Sequence, residues 1–190
     1  MDAFLLSFGV IFLAELGDKS QLMALAFAAR YPAVPVLVAI SLATALVHAG
    51  SVLLGATVAV ALPTNVISIV AGLAFLGFAA WTLRGDTLGA ADEARAARET
   101  SRSVILTVGT AFFLAELGDK TMLATVTLAT HESAFGTWLG STAGMVAADA
   151  IAIAVGRLLG GRLPERVIRI GAAVAFVAFG LVLIWSGIRS

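Results

Sequence analysis

Six stretches of the chain are apolar over most of their length and are separated by short polar segments. A helix needs about 20 predominantly apolar residues to cross the hydrocarbon core of a bilayer, and each stretch comes close to that length or exceeds it. We therefore predict an all-α polytopic membrane protein with six transmembrane helices. The predicted spans are residues 3–29, 33–61, 66–83, 104–130, 137–159 and 167–188.

The composition supports a protein embedded in a lipid bilayer and excludes several other classes. The 190 residues are 60% hydrophobic and 13% charged, with a mean hydropathy of +1.02, which is too apolar for a soluble domain. The formal net charge is zero, so we expect no nucleic-acid partner. The chain has no cysteine, which excludes disulfides and thiolate metal sites but leaves oxygen ligands available.

Arginine is distributed unevenly between the two sides that the six spans define. Nine arginines fall on one side, whereas only Arg189 falls on the other. Lysine and arginine concentrate in cytoplasmic loops, so the side with nine arginines should be cytoplasmic. Both termini are then expected outside, and residues 84–103 are expected to form a charged cytoplasmic linker.

An internal repeat is the strongest signal of organisation in the sequence. Residues 12–19 and residues 113–120 both read FLAELGDK, at an offset of 101. The same offset, without a gap, aligns His48 with Asp149. A repeat of this length indicates a duplicated structural unit.

Each copy of the repeat would contain three of the predicted spans. Because three is an odd number, the second copy must enter the membrane from the side opposite to the first. We therefore predict two inverted three-helix repeats, formed by residues 1–83 and 104–190, on either side of the linker. In transporters built this way, the substrate site lies near mid-membrane where the repeats meet.

Each repeat has two acidic residues near the middle of its first apolar stretch, namely Glu15 with Asp18 and Glu116 with Asp119. Positions i and i+3 of a helix share a face, so each pair should point both carboxylates in one direction. A charge at the bilayer centre costs at least about 2.5–3.5 kcal/mol, so this direction should be inward. We predict that the four carboxylates meet between the repeats and bind a metal ion.

Charge balance favours a divalent cation at this position. Lys19 and Lys120 can act as structural counter-ions, but four carboxylates and two ammonium groups leave two negative charges. Oxygen ligands suit calcium, magnesium or manganese. Additional ligands or proton-relay residues are expected among Ser20, Gln21, Thr121, His48 and Asp149.

The same carboxylates can also carry protons. Desolvation and like-charge repulsion favour the protonated form of crowded acids, so without metal some of them should be protonated. A site that holds either one metal ion or about two protons is the physical basis of metal/proton antiport. The predicted partners are therefore a divalent cation, protons and the lipid bilayer, with no prosthetic group, and the oligomeric state is left open.

The motifs at residues 15–20 (ELGDKS) and 116–121 (ELGDKT) resemble those of the Gdt-type cation/proton antiporter family, formerly uncharacterised protein family 0016, within the lysine-exporter superfamily. That family is marked by two Glu-x-Gly-Asp-(Lys/Arg)-(Ser/Thr) motifs on three-helix repeats. The resemblance implies manganese export from the cytoplasm in bacterial members, and calcium and manganese transport into the secretory pathway in eukaryotic ones. It also implies that the four acidic residues bind the ion. The compact linker suggests a bacterial member in the inner (plasma) membrane.

Other interpretations stay open at this point. The superfamily suggests an exporter of a small cationic organic solute, although such a pocket would need aromatic and amide groups around the acids. Two Gly-Asp pairs on separate helices suggest an intramembrane aspartyl protease, but the neighbouring lysines disfavour a dyad that shares one proton. The acids and lysines could also form ion pairs with a purely structural role, though buried ion pairs stabilise poorly compared with apolar packing. A non-transporting assembly factor would have no use for the acidic clusters.

Overall fold

The computed structural model describes residues 2–84, 103–159 and 165–189, without the side chains of residues 157–169 and 172. These residues form eight helices and no strand, which confirms the all-α prediction for this part of the chain. Most of the predicted linker at residues 84–103 lies outside the described ranges. The helices are α1 (Asp2–Glu15), α2 (Lys19–Arg30), α3 (Ala33–Ala61), α4 (Thr64–Arg84), α5 (Val104–Glu116), α6 (Lys120–Ala129), α7 (Ala134–Leu159) and α8 (Glu165–Arg189).

Three of these helices are long and apolar enough to cross a bilayer. They are α3, α4 and the segment Ala134–Gly156 of α7, whereas α5 and the segment Ala173–Arg189 of α8 are apolar but shorter. Large apolar side chains on several helices point away from the protein, including Leu46, Val60 and Val174. An apolar exterior of this extent is typical of a surface that faces lipid.

The first and fourth predicted spans are each broken in the middle, so neither is one continuous helix over residues 3–29 or 104–130. The backbone leaves the helix between Glu15 and Lys19, and again between Glu116 and Lys120. The predicted i, i+3 relation between the acids of each motif therefore does not hold. The break itself falls on the GD dipeptide of each motif.

Glycine is the physical reason for both breaks. Gly17 and Gly118 have φ angles of 76° and 80°, in the left-handed region that side chains disfavour and glycine adopts freely. The turn closes when the Asp18 backbone N–H donates to the Glu15 carbonyl over 3.1 Å. A Cβ at Gly118 would meet no atom within 4 Å, so this position needs the conformational freedom of glycine and not its small size.

Helix α7 lies alongside α1 and α2 and runs in the same direction as both. Its Gly144 faces the Phe8 backbone, and its Gly156 faces the Leu25 side chain of α2. The contacting residues on α7 and on α1–α2 increase in number in the same direction, so these helices run parallel. Glycines at the interface allow this close approach.

Helix α3 packs against the second broken helix in an equivalent way. Gly55 of α3 faces the Val126 carbonyl of α6. At the repeat offset of 101, Gly55 corresponds to Gly156 and Leu25 corresponds to Val126. Equivalent positions therefore meet twice, with the roles of the two halves exchanged, once at a backbone carbonyl and once at a side chain.

Helices α4 and α8 form the third interface between the halves and are antiparallel. Gly72 faces the Gly180 carbonyl, and Asn65, earlier in α4, faces Gly187, later in α8. Next to this crossing, the rings of Phe75 and Phe179 pack edge to face with centroids 4.8 Å apart, a favoured aromatic geometry.

The apolar core is shared by the two halves of the chain, α1–α4 and α5–α8. One buried cluster combines Met23, Phe27 and Ile40 with Phe112 and Ile153. The other combines Ile11, Phe75 and Phe78 with Leu128, Met145 and Phe176. Each half therefore buries its apolar side chains largely against the other.

Candidate functional site

The four motif acids lie at the two helix breaks in the interior of the protein. Glu15, Asp18, Glu116 and Asp119 are each at most 3% exposed. Each glutamate ends one short helix, and each aspartate stands at the N-cap of the next. The breaks therefore bring helix C-terminal carbonyls and helix N-terminal amides next to buried carboxylates, as in the discontinuous helices of secondary transporters.

Two ion pairs connect the breaks. The Lys120 ammonium lies 2.7 Å from Asp18 Oδ1, and the Lys19 ammonium lies 2.9 Å from Asp119 Oδ1. Each lysine thus pairs with the aspartate of the other half of the chain. The two aspartates make no N-cap hydrogen bond to their own helices, which leaves their carboxylates available for these pairs.

The two glutamates are held by hydroxyl groups of their own motifs. Ser20 Oγ donates a hydrogen bond to Glu15 Oε1, and Thr121 Oγ1 donates to Glu116 Oε2 over 2.9 Å. In both motifs the hydroxyl lies five residues after the glutamate, across the helix break. The interaction fixes one oxygen of each carboxylate and leaves the other buried without a hydrogen-bond partner among the described residues.

A side chain one position further along supports each break. Gln21 accepts a hydrogen bond from the Gly17 N–H over 2.8 Å and donates one to the Ala148 carbonyl of α7 over 3.0 Å. Met122, the equivalent residue, accepts a weak hydrogen bond from the Gly118 N–H over 3.1 Å. Hydropathy gave no sign of this supporting position, although the repeat offset aligns the two residues.

A second pair of equivalent residues lies in contact between α3 and α7. The Thr44 hydroxyl donates to the Met145 sulfur over 3.4 Å, and these residues are separated by the repeat offset of 101. The contact therefore joins two positions that the repeat makes equivalent. This contact could not be predicted from the repeat either, because the offset aligns residues without saying which of them meet.

Several buried carboxylate oxygens have no hydrogen-bond partner among the described residues. They are Glu15 Oε2, Glu116 Oε1, Asp119 Oδ2 and both oxygens of Asp149. A buried carboxylate oxygen without a partner is costly. A bound cation or a proton would stabilise such an oxygen.

Asp149 and His48 occupy equivalent positions and differ in their electrostatic role. Both are fully buried, and neither side chain has a hydrogen-bond partner in the described part of the chain. Asp149 lies within electrostatic range of Glu15 and Glu116. The site is therefore asymmetric, with a fifth carboxylate on α7 where α3 has an imidazole.

The ion-paired arrangement is not a ready-made metal cage. Over residues 2–84, 103–159 and 165–189, no three acidic or histidine side chains are grouped closely enough to hold a metal ion. The lysines occupy the space next to one oxygen of each site aspartate. With all groups ionised, the five carboxylates and two ammonium groups would carry a net charge of −3, which favours uptake of further positive charge.

Comparison with known proteins identifies the family. The profile of the divalent cation/proton antiporter family GDT1 matches residues 3–90 and 104–190. A Vibrio cholerae protein named "Putative manganese exporter" is 34% identical over 184 residues, covering 95% of this chain and 90% of the relative. GDT1-like protein sll0615 of Synechocystis is 30% identical, with 99% of each chain covered. The chloroplast protein PAM71 of Arabidopsis thaliana is 30% identical over 94% of this chain and 55% of its own length.

No solved structure matches the chain. The family assignment therefore depends on the sequence alone, and it covers both halves of the chain, including both acidic motifs. Because the members of this family move cations across membranes, the assignment excludes the aspartyl protease that the Gly-Asp pairs suggested. The chain belongs to the divalent cation/proton antiporter family GDT1, and the protein is a membrane transporter and not an enzyme.

Proposed function

We propose that the protein exports manganese or calcium from the cytoplasm in exchange for protons, through a site formed by Glu15, Asp18, Glu116 and Asp119. The observation that carries this proposal is the set of buried carboxylate oxygens, contributed by both helix breaks, that have no hydrogen-bond partner in the described part of the chain. Manganese is favoured by the name of the Vibrio cholerae relative. The donor set of hard oxygens suits either ion.

The ligand set extends beyond the four acids in this proposal. Asp149 supplies a further carboxylate close to both glutamates and is a candidate ligand or proton relay. Ser20 and Thr121 orient the glutamates through hydrogen bonds, and Gln21 positions α7 against the first break. His48 is a candidate relay because its imidazole is buried and both ring nitrogens lack a hydrogen-bond partner in the described residues.

Proton exchange follows from the burial of these carboxylates. A carboxylate without a cation is more stable in a low-dielectric interior when it is protonated. The hydroxyls of Ser20 and Thr121 engage one oxygen of each glutamate and leave the other for either a metal ion or a proton. Metal and protons then occupy the same oxygens in turn, which couples their movements.

The proposed architecture consists of six spans in two inverted repeats. The broken helices α1–α2 and α5–α6 each form one span, and α3, α4, α7 and α8 form the others. The parallel packing of α1 and α2 on α7, and the antiparallel packing of α4 on α8, support opposite orientations of the two halves. The repeats comprise residues 1–83 and 104–190, and residues 84–103 link them on the cytoplasmic side of a bacterial inner membrane, with both termini outside.

The alternative substrate, a small cationic organic solute, has weaker support. A cavity of about 370 Å³ between α3 and α5 is lined by apolar side chains and Thr110, and it contains none of the site acids. An organic cation bound there would find no counter-charge. The buried acids themselves are surrounded by helix ends and hydroxyl groups, which suit a bare metal ion better.

Transport by purified protein in proteoliposomes tests the proposal. A manganese-sensitive dye and a pH-sensitive dye inside the vesicles report the two fluxes together. We expect manganese movement with opposite proton movement in the wild type, and loss of both in Glu116→Gln, which keeps the shape of the side chain but removes its charge. The matched control is Glu132→Gln, the same change in the loop between α6 and α7, which should transport normally.

Two results would contradict the proposal. Normal manganese flux in Glu116→Gln would move the ion site elsewhere in the protein. Manganese flux without proton counter-flow at any imposed pH gradient would exclude antiport. Circular dichroism and the elution profile in detergent establish that each variant is folded before its flux is interpreted.

A further inference from the structure

The two ion pairs form a reciprocal link between the halves of the chain. Lys19 and Asp18 are neighbours in sequence, yet Lys19 pairs with Asp119, while Lys120 pairs with Asp18. Exchange of the two halves at the offset of 101 converts one pair into the other. Both pairs use the aspartates to which the proposed function assigns the metal.

The choice of basic residue at these positions is unusual for this chain. Lys19 and Lys120 are its only lysines, and its other permanently charged basic side chains are all arginines. Arginine binds a carboxylate through a rigid fork of two parallel hydrogen bonds, whereas the lysine ammonium is a compact point charge on a flexible stem. Lysine is therefore the basic residue that another compact cation can most easily replace.

An ammonium and a metal ion cannot both approach one of these carboxylates closely without repelling each other. In the ion-paired arrangement, the described acids and histidines provide no group of three that could hold a metal ion. The aspartates thus have two alternative positive partners. The lysine is attached to the protein, and the other partner arrives from solution.

We propose that Lys19 and Lys120 are tethered competitors of the transported metal. They occupy the two site aspartates when no metal is bound, and metal binding displaces them. The proposal rests on the proposed function, because it takes Asp18 and Asp119 as metal ligands. It assigns to the lysines a role in setting metal affinity and release, beyond that of static counter-ions.

The two pairs differ in accessibility, which predicts the order of displacement. The Lys19 side chain is 23% exposed, whereas the Lys120 side chain is 3% exposed. Asp119 also has its Oδ2 atom without a partner among the described residues. The pair between Lys19 and Asp119 therefore opens first, and the deeply buried pair between Lys120 and Asp18 follows.

Displacement of the lysines also couples binding to movement. Each ion pair joins a helix of the first half to a helix of the second, so its opening removes a direct link between the halves. A ligand changes a conformational equilibrium only through its different affinity for the two states. Competition between metal and lysine supplies such a difference, because the metal binds only the state in which the link is open.

Substitution of Lys19 separates this role from a structural one. We expect Lys19→Met to bind manganese at least about tenfold more tightly than the wild type, since the competitor is gone, and to exchange it more slowly. Lys19→Arg keeps the charge and should bind no more tightly than the wild type. Arg84→Gln, at the exposed end of α4, controls for the loss of one positive charge and should leave the dissociation constant unchanged.

Manganese binding is measured by calorimetry on purified protein, and exchange is measured in proteoliposomes. A folded Lys19→Met variant with an unchanged or higher dissociation constant would overturn the competition. If Lys19 were purely structural, its removal would lower manganese affinity and exchange together. If Lys19 is a competitor, its removal lowers exchange while raising affinity. If the wild type bound neither manganese nor calcium, the proposed function would fail first.

Amine labelling of the wild type provides a second measurement that does not depend on any variant folding. With only two lysines in the chain, mass spectrometry after reaction with an amine reagent reports each of them separately. Saturating manganese should increase the labelling of Lys19, because the metal releases its ammonium from Asp119. Bound manganese without any rise in Lys19 labelling would contradict displacement, even if the variants could not be purified.

Discussion

Substitution of Gly118 by alanine tests whether the helix break depends on the left-handed backbone of one residue. Gly118 has a φ angle of 80° and open space around the position of a Cβ. Gly77, in the interior of α4, also has open space there, but it has a helical backbone. The two substitutions add the same methyl group without a clash and differ only in backbone conformation.

The expected effects have opposite signs. Alanine in place of a mid-helix glycine stabilises a protein by roughly 0.5–1 kcal/mol, so Gly77→Ala should be more stable than the wild type. In Gly118→Ala, the left-handed conformation costs alanine roughly 1–2 kcal/mol. Alanine also lowers the conformational entropy of the unfolded chain, which stabilises the folded state by about 0.4–1 kcal/mol and offsets only part of that cost. Because the unfolded-state effect is common to both variants, their difference should be about 1–2 kcal/mol and should report the backbone cost directly.

Reversible unfolding in mixed micelles of detergent and SDS, followed by circular dichroism, gives the free energy of unfolding of each variant. We expect Gly118→Asn to lie between Gly118→Ala and the wild type, because asparagine tolerates the left-handed region better than alanine does. Equal or higher stability of Gly118→Ala relative to Gly77→Ala would refute the argument. Such a result would mean that the break can be replaced by continuous helix at no cost.

Three further predictions concern the packing and the ion pairs, and the same unfolding assay checks them. Lys120→Met leaves the buried Asp18 without its ammonium and should lower the free energy of unfolding by about 3–5 kcal/mol. The double variant Lys120→Met/Asp18→Asn should lose clearly less. Equal losses in the two variants would show that the pair itself is unimportant for stability. Gly140→Ala places a methyl group against the Phe4 backbone and should cost about 1–3 kcal/mol through overpacking. Gly50→Ala, in the interior of α3 with nothing within 4 Å of the new methyl group, should instead stabilise the protein by roughly 0.5–1 kcal/mol, as at Gly77. Thr121→Val removes the hydroxyl that donates to Glu116 and should lower the free energy of unfolding by about 1–3 kcal/mol. Thr127→Val, at a half-buried position of α6 where the hydroxyl donates to the Leu123 carbonyl, should cost less; equal costs would contradict the importance of the Glu116 hydrogen bond.

The pattern of apolar residues predicted some helices well and failed at others for an identifiable reason. The second span was predicted at residues 33–61, and α3 occupies Ala33–Ala61. The hydropathy of the first and fourth spans gave no sign of a break, because both sides of each break are apolar. Hydropathy responds to the solvent around a segment and not to the φ angle of one glycine, so the turns at Gly17 and Gly118 left no trace in it.

The sequence by itself determined the class of the protein, its duplication and the burial of its acids. A chain with 60% hydrophobic residues is compatible with lipid as its main solvent, and charges within such segments must turn inward, because lipid does not solvate them. Only the tertiary structure decided that Lys19 pairs with Asp119 and Lys120 with Asp18. It also decided that Gln21 connects the first break to α7. These contacts join residues 100 to 127 positions apart. A local pattern of polar and apolar residues contains no information about which distant side chains meet when the two halves pack together.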